Sequence, residues 1–526
     1  MIASVRHVAF GMAFGLALGS PALAQTLPRG LDAYVAKVLE VFGTPGVSLA
    51  IVKDGSVALS RGYGVRRLGD PARVDGKTAF GIASNTKAFT GAAIALLAEE
   101  GKLAWDDPVV KHLPAFQMYD PWVTREIQVA ELLTHHSGLG LGQGDLLYFP
   151  ASKLGRDEIV RRLRFLAPAT SFRSTYAYDN ILYVVADQLV EAVSGRPWDV
   201  FVKARILGPL GMTSCTTTSV AAWKPGDNVA TPHAPVAGKV TPVDRSNIDA
   251  LRAAGGINSC TDEMARWAMA QLGRGQIPGS GARLFSEEQS AQMWSPQTIL
   301  AIPTSLPPQL EPLRPNFSAY GSGWRLLDYA GRKIVTHDGG LIGEVSRVVL
   351  VPSEGLGVVI LTNGEESGVL NAIGWHVLDF YLKGKDTDWV EPFRTLRDAQ
   401  IADAARVEAT AEAGRAKASA PSLDIASYAG RFRDAWFGEI ALAVENGKLT
   451  FTAPDSPSLT GTLDHWQHDT FRAKWRDPTI PDAFVTFALT PEGTVDSFKM
   501  QAVSPLADFS FDYQDLLFRP VTKRKP

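Results

Sequence analysis

Cysteine is nearly absent: Cys215 and Cys260 are the only two in 526 residues. Two thiols exclude a disulfide framework and a four-cysteine zinc site. A Cys215–Cys260 disulfide and two separately buried thiols both stay open, because sequence separation says nothing about geometry. An excess of one charge is lacking too. With 52 Lys+Arg against 55 Asp+Glu the net charge is −3, which offers no global electrostatic reason to bind nucleic acid. Charged residues are only 20% and hydrophobic ones 45%, a balance that excludes wholesale disorder and supplies a sizeable core. Beyond the N-terminus no apolar run is long enough for a membrane span. There is no repeat at solenoid periods and no His-Glu-x-x-His. His135 and His136, which would point apart on a regular element, read as a helix end and turn, and His233 stands alone, so no metal site is expected.

What is present begins with a leader. Residues 1–24 carry Arg6, an apolar stretch Val8–Leu18 and the small-x-small run Ala22-Leu23-Ala24. This reads as a signal peptide cleaved near Gln25, with a short anchor or buried helix as the alternative. The expected destination is outside the cytoplasm, the periplasm if the host is Gram-negative.

Length points to two to four domains. Leu31, Val35, Val38, Leu39 and Phe42 keep helical spacing up to Gly43. Val47–Lys53 and Ser56–Tyr63 flank Asp54-Gly55, a hairpin pair. Three more strands are expected at Arg332–Thr336, Arg347–Val351 and Gly357–Leu361, then a helix over Gly368–Leu382. Helical patterns at Lys87–Glu100, Ile181–Val193 and Asp262–Leu272 fill the interval. The simplest architecture is one antiparallel sheet of five strands built from both ends of this region, with a helical subdomain inserted. Residues 385–421 read as a solvated helical linker or a disordered tether. Residues 422–526 return to short strands, including the Asn446-Gly447 hairpin between Glu439–Val444 and Lys448–Thr452, and suggest a small antiparallel barrel or sandwich.

Three short motifs carry chemistry. Ser84-Asn-Thr-Lys87 opens a helix, and a spacing of three places serine and lysine on one face. A serine hydroxyl needs a base to take its proton, and lysine can be that base once burial or charge lowers its pKa. Taken alone, Ser-x-x-Lys occurs by chance about once or twice in such a chain and usually means an N-cap serine with a surface lysine. Tyr178-Asp179-Asn180 precedes a helix; Tyr178 can relay a proton and Asn180 can grip a carbonyl, although a turn with a helix cap is the simpler reading. His337-Asp338-Gly339-Gly340 ends an expected strand, and its glycines allow another backbone close to the strand edge.

In this order and context the three motifs resemble the serine β-lactamase and penicillin-binding-protein superfamily, specifically its class C β-lactamase-like branch of peptidases and esterases. Leu132–Gly138, Gly208–Met212, Ala254–Ser259 and Tyr320–Trp324 strengthen the resemblance, which covers about residues 30–384. It implies an α/β (α+β) fold: the five-stranded antiparallel sheet flanked by helices over 25–384. The segment 422–526 resembles the lipocalin-like β-barrel appended to some members. The resemblance further implies that Ser84 is the acylated nucleophile, with Lys87 and Tyr178 handling its proton. Asn180, His337 and Gly339 would bind substrate, and the backbone N–H groups of Ser84 and Gly340 would form the oxyanion hole. No cofactor is implied. The expected partner is a small peptide or amide, including peptides with D-residues or unusual linkages; a homo-oligomer is also admitted. A carboxylesterase or β-lactamase with the same acyl-enzyme, and a non-catalytic binding protein, are the alternatives. The departure is His337, where β-lactamases carry lysine; a mostly neutral histidine points to peptidases, amidases and esterases. Asp338 is expected either to raise the pKa of His337 or to face a cationic substrate group.

Overall fold

The computed structural model describes residues 26–219, 224 and 226–521; the expected signal peptide lies outside them. An eight-stranded antiparallel sheet forms the frame, built from both ends of the first 384 residues. From the N-terminal side come β1 (Gly46–Lys53) and β2 (Ser56–Gly64), joined through Asp54 and Gly55, which both take positive φ. Two small pairs follow: β3 (Phe80–Gly81) with the later β6 (Asn258–Ser259), and β4 (His233–Val236) with β5 (Lys239–Pro242). The C-terminal side supplies β7 (Thr298–Ile299), β8 (Ser318–Tyr320), β9 (Arg325–Tyr329), β10 (Arg332–Leu341), β11 (Glu344–Val351) and β12 (Leu356–Thr362). Their order is β2-β1-β12-β11-β10-β9-β8-β7. The expectation of five strands is thus corrected to eight. The three additions, β7 to β9, are two to five residues long, too short to print an alternation in the sequence.

β1 and β12 are buried along almost their whole length because helices cover both faces of the sheet. Val47, Leu49 and Ile51 enter one core with Val35, Leu39 and Ile373 of the flanking helices Leu31–Phe42 and Ser367–Lys383. Ala50 and Val52 point the other way, into the core shared with helices Thr86–Glu99 and Thr261–Leu272. Cys215 and Cys260 are both buried and free; the Cys215 thiol donates to Ser259 Oγ at 2.9 Å.

A helix, Val390–Ala413, leads to the second unit. Its first turn is core: Trp389, Val390 and Phe393 pack with the sheet-flanking helices, and the later turns are largely solvated, with Ala404 buried among them. Eight strands between 430 and 520 then close into an antiparallel barrel. Asn446 and Gly447 take the positive φ expected of their hairpin. Phe432, Phe487, Phe498 and Phe518 fill the barrel interior, with ring centroids 4.7–5.1 Å apart for the pairs through Phe498. The barrel packs on the first domain: Arg162 Nη1 donates to the Trp436 carbonyl at 3.2 Å, and Lys153 N–H to the Asp455 carbonyl at 2.7 Å.

Candidate active site

Ser84 sits in a single 3₁₀ turn, Ala83–Asn85, between β3 and the helix Thr86–Glu99. Every residue of that helix from Thr86 to Leu97 is buried, as expected of a helix apolar on all sides. Lys87, in its first turn, therefore has no route to solvent and is fully buried. The N-cap with a surface lysine is excluded: no side chain caps this helix, and Lys87 Nζ turns inward to Ser84 Oγ (3.0 Å), Asn180 Oδ1 (2.7 Å) and the Ala254 carbonyl (3.3 Å). Its ammonium also lies 4.8 and 5.0 Å from the ring centres of Tyr178 and Tyr183. Burial pulls the pKa of Lys87 down to about 7, although the carboxylates of Asp145 and Asp179 pull the other way.

Asn180 occupies the N-cap position of the helix Ile181–Ser194 but makes no cap bond. Its amide is spent on the site: Oδ1 accepts from Lys87, and Nδ2 donates to Asp145 Oδ2 at 2.8 Å. Tyr178 stands two residues earlier on the same cavity lining as Ser84, and burial holds its phenol well above the ordinary range. Tyr178 therefore stays protonated at neutral pH.

The third motif lies on β10. This strand pairs with β9 only as far as Thr336. From His337 onward that edge is released and lies against the Ser84 turn. Ser346 Oγ on β11 ties the two together, donating to the Ile82 carbonyl at 2.7 Å and accepting from Asn85 Nδ2 at 2.8 Å. A Cβ on Gly339 would stand 2.4 Å from the Ile82 carbonyl oxygen, so only glycine permits this approach. His337 is buried, and burial pushes its pKa down to about 4. Its Nδ1 donates to the Asp338 carbonyl at 2.5 Å, and its Nε2 accepts from the Tyr320 hydroxyl at 2.7 Å. The Asp338 carboxylate faces away and is held by Arg347 at 2.6 and 2.7 Å. The expected upward shift of His337 by Asp338 is thus outweighed by desolvation, and the imidazole is neutral.

Ser84, Tyr178, Asn180, His337, Gly339 and Gly340 line one cavity of about 700 Å³, with Lys87 beneath its floor. Away from Ser84 this cavity is walled mainly by apolar side chains, among them Leu306, Leu313, Trp375 and Phe393, with Arg325 and Arg347 also on its lining. A second cavity of about 480 Å³ shares Ser84, Asn180 and Gly340. Its far wall is the barrel domain, through Ile480, Pro481, Leu506 and Asp508. Among the described residues no group of three or more His, Cys, Asp or Glu could hold a metal ion, and no helix is long and apolar enough to cross a membrane.

Several residues at the site carried no sequence signal of their own. Tyr320 lies in a family-like stretch, but only the fold brings its hydroxyl to His337. His135 does stand at a turn, with φ 59°, but its ring packs 4.3 Å from that of Tyr178. Asp145, fully buried, accepts from Asn180, from Ser510 at 2.8 Å and from Tyr148. Phe509 meets the Tyr178 ring edge-on at 5.8 Å. Asp145 stands in a glycine-rich loop without periodicity, and the barrel residues are separated from Ser84 by more than 400 positions; no local pattern could have joined them.

A family model described as Beta-lactamase matches residues 31–382, and one described as a domain of unknown function (DUF3471) matches 414–520. The unguisins hydrolase ungD' of Aspergillus campestris is 31% identical over 419 residues, covering 76% of this chain and 74% of that protein. The unguisins hydrolase ungD of Aspergillus violaceofuscus is 28% identical over 496 residues, covering 87% and 85%. Among solved structures, the octameric penicillin-binding protein homologue from Pyrococcus abyssi superposes with a TM-score of 0.57 at 20% identity, over 93% of this chain and 99% of that one.

Proposed function

Because this chain belongs to the beta-lactamase family of serine hydrolases, we propose that it cleaves an amide bond in a small peptide through an acyl-enzyme on Ser84. The observation that carries this reading is the contact between Lys87 Nζ and Ser84 Oγ, 3.0 Å long, which joins a fully buried lysine to a serine that opens onto the cavity. With its pKa near 7, Lys87 is substantially neutral at physiological pH and can accept the hydroxyl proton. Tyr178 is a poorer base, since burial keeps its phenol protonated; it serves as a relay.

In the proposed sequence Lys87 takes the Ser84 proton as Oγ bonds to the substrate carbonyl carbon. The carbonyl π electrons move to oxygen, and the oxyanion is received by the backbone N–H groups of Ser84 and Gly340. When the tetrahedral intermediate collapses, the C–N bond breaks and the proton held by Lys87 passes through Tyr178 to the departing amine. Water then attacks the ester, with the same pair taking its proton, and releases the acid and free Ser84.

The apolar walls of the larger cavity support peptides with apolar side chains, and the neutral His337 supplies no charge of its own for a substrate carboxylate. Two relatives named as hydrolases of unguisins accord with a hydrolytic reaction. The leader-like residues 1–24 support an exported enzyme.

The test is product release by liquid chromatography–mass spectrometry from a panel of L- and D-peptides, simple esters and β-lactams, with wild type and Ser84→Ala in parallel. Ser84-dependent cleavage of peptides is expected. Turnover that persists in Ser84→Ala would remove the nucleophile, and Ser84-dependent cleavage of esters or β-lactams alone would replace the amide reading.

A further inference from the structure

The barrel domain does more than pack beside the catalytic domain. Its segment 508–513 reaches the loop that carries Asp145 and binds it from both sides. Asp512, fully buried, accepts the backbone N–H of Gly144 at 2.7 Å and that of Leu146 at 3.1 Å. Ser510 Oγ donates to Asp145 Oδ2 at 2.8 Å. The approach is close: Gly142 takes φ +67°, and a Cβ there would stand 2.5 Å from the Phe509 carbonyl oxygen. From Asp145 the hydrogen bonds run on without a break. Asn180 Nδ2 donates to the same Oδ2, Asn180 Oδ1 accepts from Lys87 Nζ, and Lys87 reaches Ser84 Oγ.

We propose that the barrel is a working part of the catalytic centre: Ser510 and Asp512 are positioning residues that, through Asp145 and Asn180, hold Lys87 against Ser84. The inference rests on the reading of Ser84 and Lys87 given above. Asn180 can serve Lys87 only if its carbonyl faces Nζ, and a flipped amide would present Nδ2 to an ammonium. Asp145 prevents the flip, because a carboxylate accepts from Nδ2 and repels Oδ1. Asp145 in turn directly follows a loop, Gly138 to Gly144, four of whose residues are glycine. Such a loop has little rigidity of its own; the catalytic domain holds it through the Gly142 N–H on the Tyr178 carbonyl at 2.8 Å and through Tyr148 on Asp145, and the barrel adds the two N–H bonds to Asp512 and the hydroxyl of Ser510 on the carboxylate oxygen that Asn180 uses. A buried chain of this kind is strong when complete and weak when one member is missing. Domain packing alone would not need a hydroxyl aimed at the carboxylate that orients Asn180.

The experiment uses the full chain and a fluorophosphonate probe, with labelling of Ser84 followed by intact mass. Ser510→Ala should slow labelling about fivefold with little change in thermal midpoint, and Ser510→Thr, which keeps the hydroxyl, should restore the rate to within about twofold. Asp145→Asn should slow labelling about thirtyfold, and adding Ser510→Ala to it should cost no more than about another twofold, because the hydroxyl acts through that carboxylate. A second readout separates positioning from bulk stability. Lys87 faces Asp145, Asp179, His135, His337, Tyr178 and Tyr183. Removing the charge of Asp145 should move the rising limb of the labelling–pH profile to lower pH, since one of the two carboxylates that raise the lysine pKa is gone. Wild-type labelling in Ser510→Ala, equal losses in the Ala and Thr variants, or independent multiplication of the Ser510 and Asp145 effects would each overturn the proposal while leaving Ser84 in place. Labelling that persists in Ser84→Ala would remove the nucleophile and this inference together. If Asp145→Asn does not fold, the Ala–Thr comparison at Ser510 decides alone.

Discussion

Lys87 Nζ lies nearer to Asn180 Oδ1, at 2.7 Å, than to Ser84 Oγ, at 3.0 Å. The amide carbonyl of Asn180 stabilises the ammonium form, and so do the carboxylates of Asp145 and Asp179, while burial works against it and wins. The balance leaves a lysine that titrates near neutrality beside the nucleophile it must deprotonate.

The pH dependence follows from that balance. A base works when unprotonated, so kcat/KM for any Ser84-dependent substrate should rise with pH through about 7 and then level. Measurement from pH 5 to 9 at constant ionic strength checks it. A profile that is flat, or that falls across this range, would show that Lys87 is not the base. Lys87→Ala should lose at least about a hundredfold, the scale of general-base catalysis.

His337→Lys should do two things. A lysine cannot accept the Tyr320 hydroxyl proton that His337 Nε2 now accepts, and it brings a second cation near Lys87. The rising limb should move to lower pH, because a like charge disfavours the protonated form of Lys87. Preference should shift toward substrates bearing a carboxylate, more than the rate of acylation by a simple ester changes. Equal losses across a substrate panel, with an unmoved limb, would reduce His337 to a packing role.

The two glycines of the third motif should behave differently. A Cβ at Gly339 would press on the Ile82 carbonyl, Ser346 Oγ at 2.5 Å and Ala83 Cβ at 2.9 Å, whereas one at Gly340 would meet nothing within 4 Å. Gly339→Ala should cost about 1–3 kcal/mol, the scale of overpacking a filled site, and should slow probe labelling of Ser84 by driving β10 from the nucleophile turn. Gly340→Ala should melt like wild type. Denaturation curves and labelling rates of the two variants provide the comparison, and equal melting of both would contradict the close approach at Gly339.

Arg245 and Glu344 form a buried pair that ties the β10–β11 hairpin to β3. Arg245 Nη2 reaches Glu344 Oε1 at 2.9 Å, and the Gly81 N–H donates to the same oxygen at 3.3 Å. Arg245→Leu strands the carboxylate and should cost about 3–5 kcal/mol at pH 7. Burial already raises the pKa of Glu344 above its ordinary value. A carboxyl raised in the folded state keeps its proton longer there than in the unfolded chain, so stability is lost as pH climbs past the unfolded pKa. The deficit of Arg245→Leu should therefore shrink toward pH 4. Chemical denaturation at both pH values would show it, and an equal deficit would mean that the charge of Glu344 is not the cause.

Much of the frame was legible from local chemistry. The Asp54-Gly55 and Asn446-Gly447 turns are visible because positive φ selects those residue types. The helix Leu31–Phe42 and the strands at Arg332, Arg347 and Gly357 are visible because a one-sided or alternating apolar pattern records which face is buried. β7 to β9 were not, since two to five residues hold too few alternations to be read. The helix Val390–Ala413 looked like a solvated linker because one buried turn, around Phe393, is too small a share of its composition to register.

The same division runs through the site. Sequence by itself determined that Ser84 and Lys87 share a helix face, that Tyr178 and Asn180 stand before a second helix, and that His337 to Gly340 end a strand, because these are short-range consequences of spacing and backbone preference. It did not determine that Lys87 has a pKa near 7, that His337 is neutral despite its neighbour Asp338, or that Asp145, Tyr320 and Ser510 stand around the same centre. Those were decided by tertiary structure. Desolvation depends on what covers a group from every side, and the covering groups come from segments as distant as the barrel.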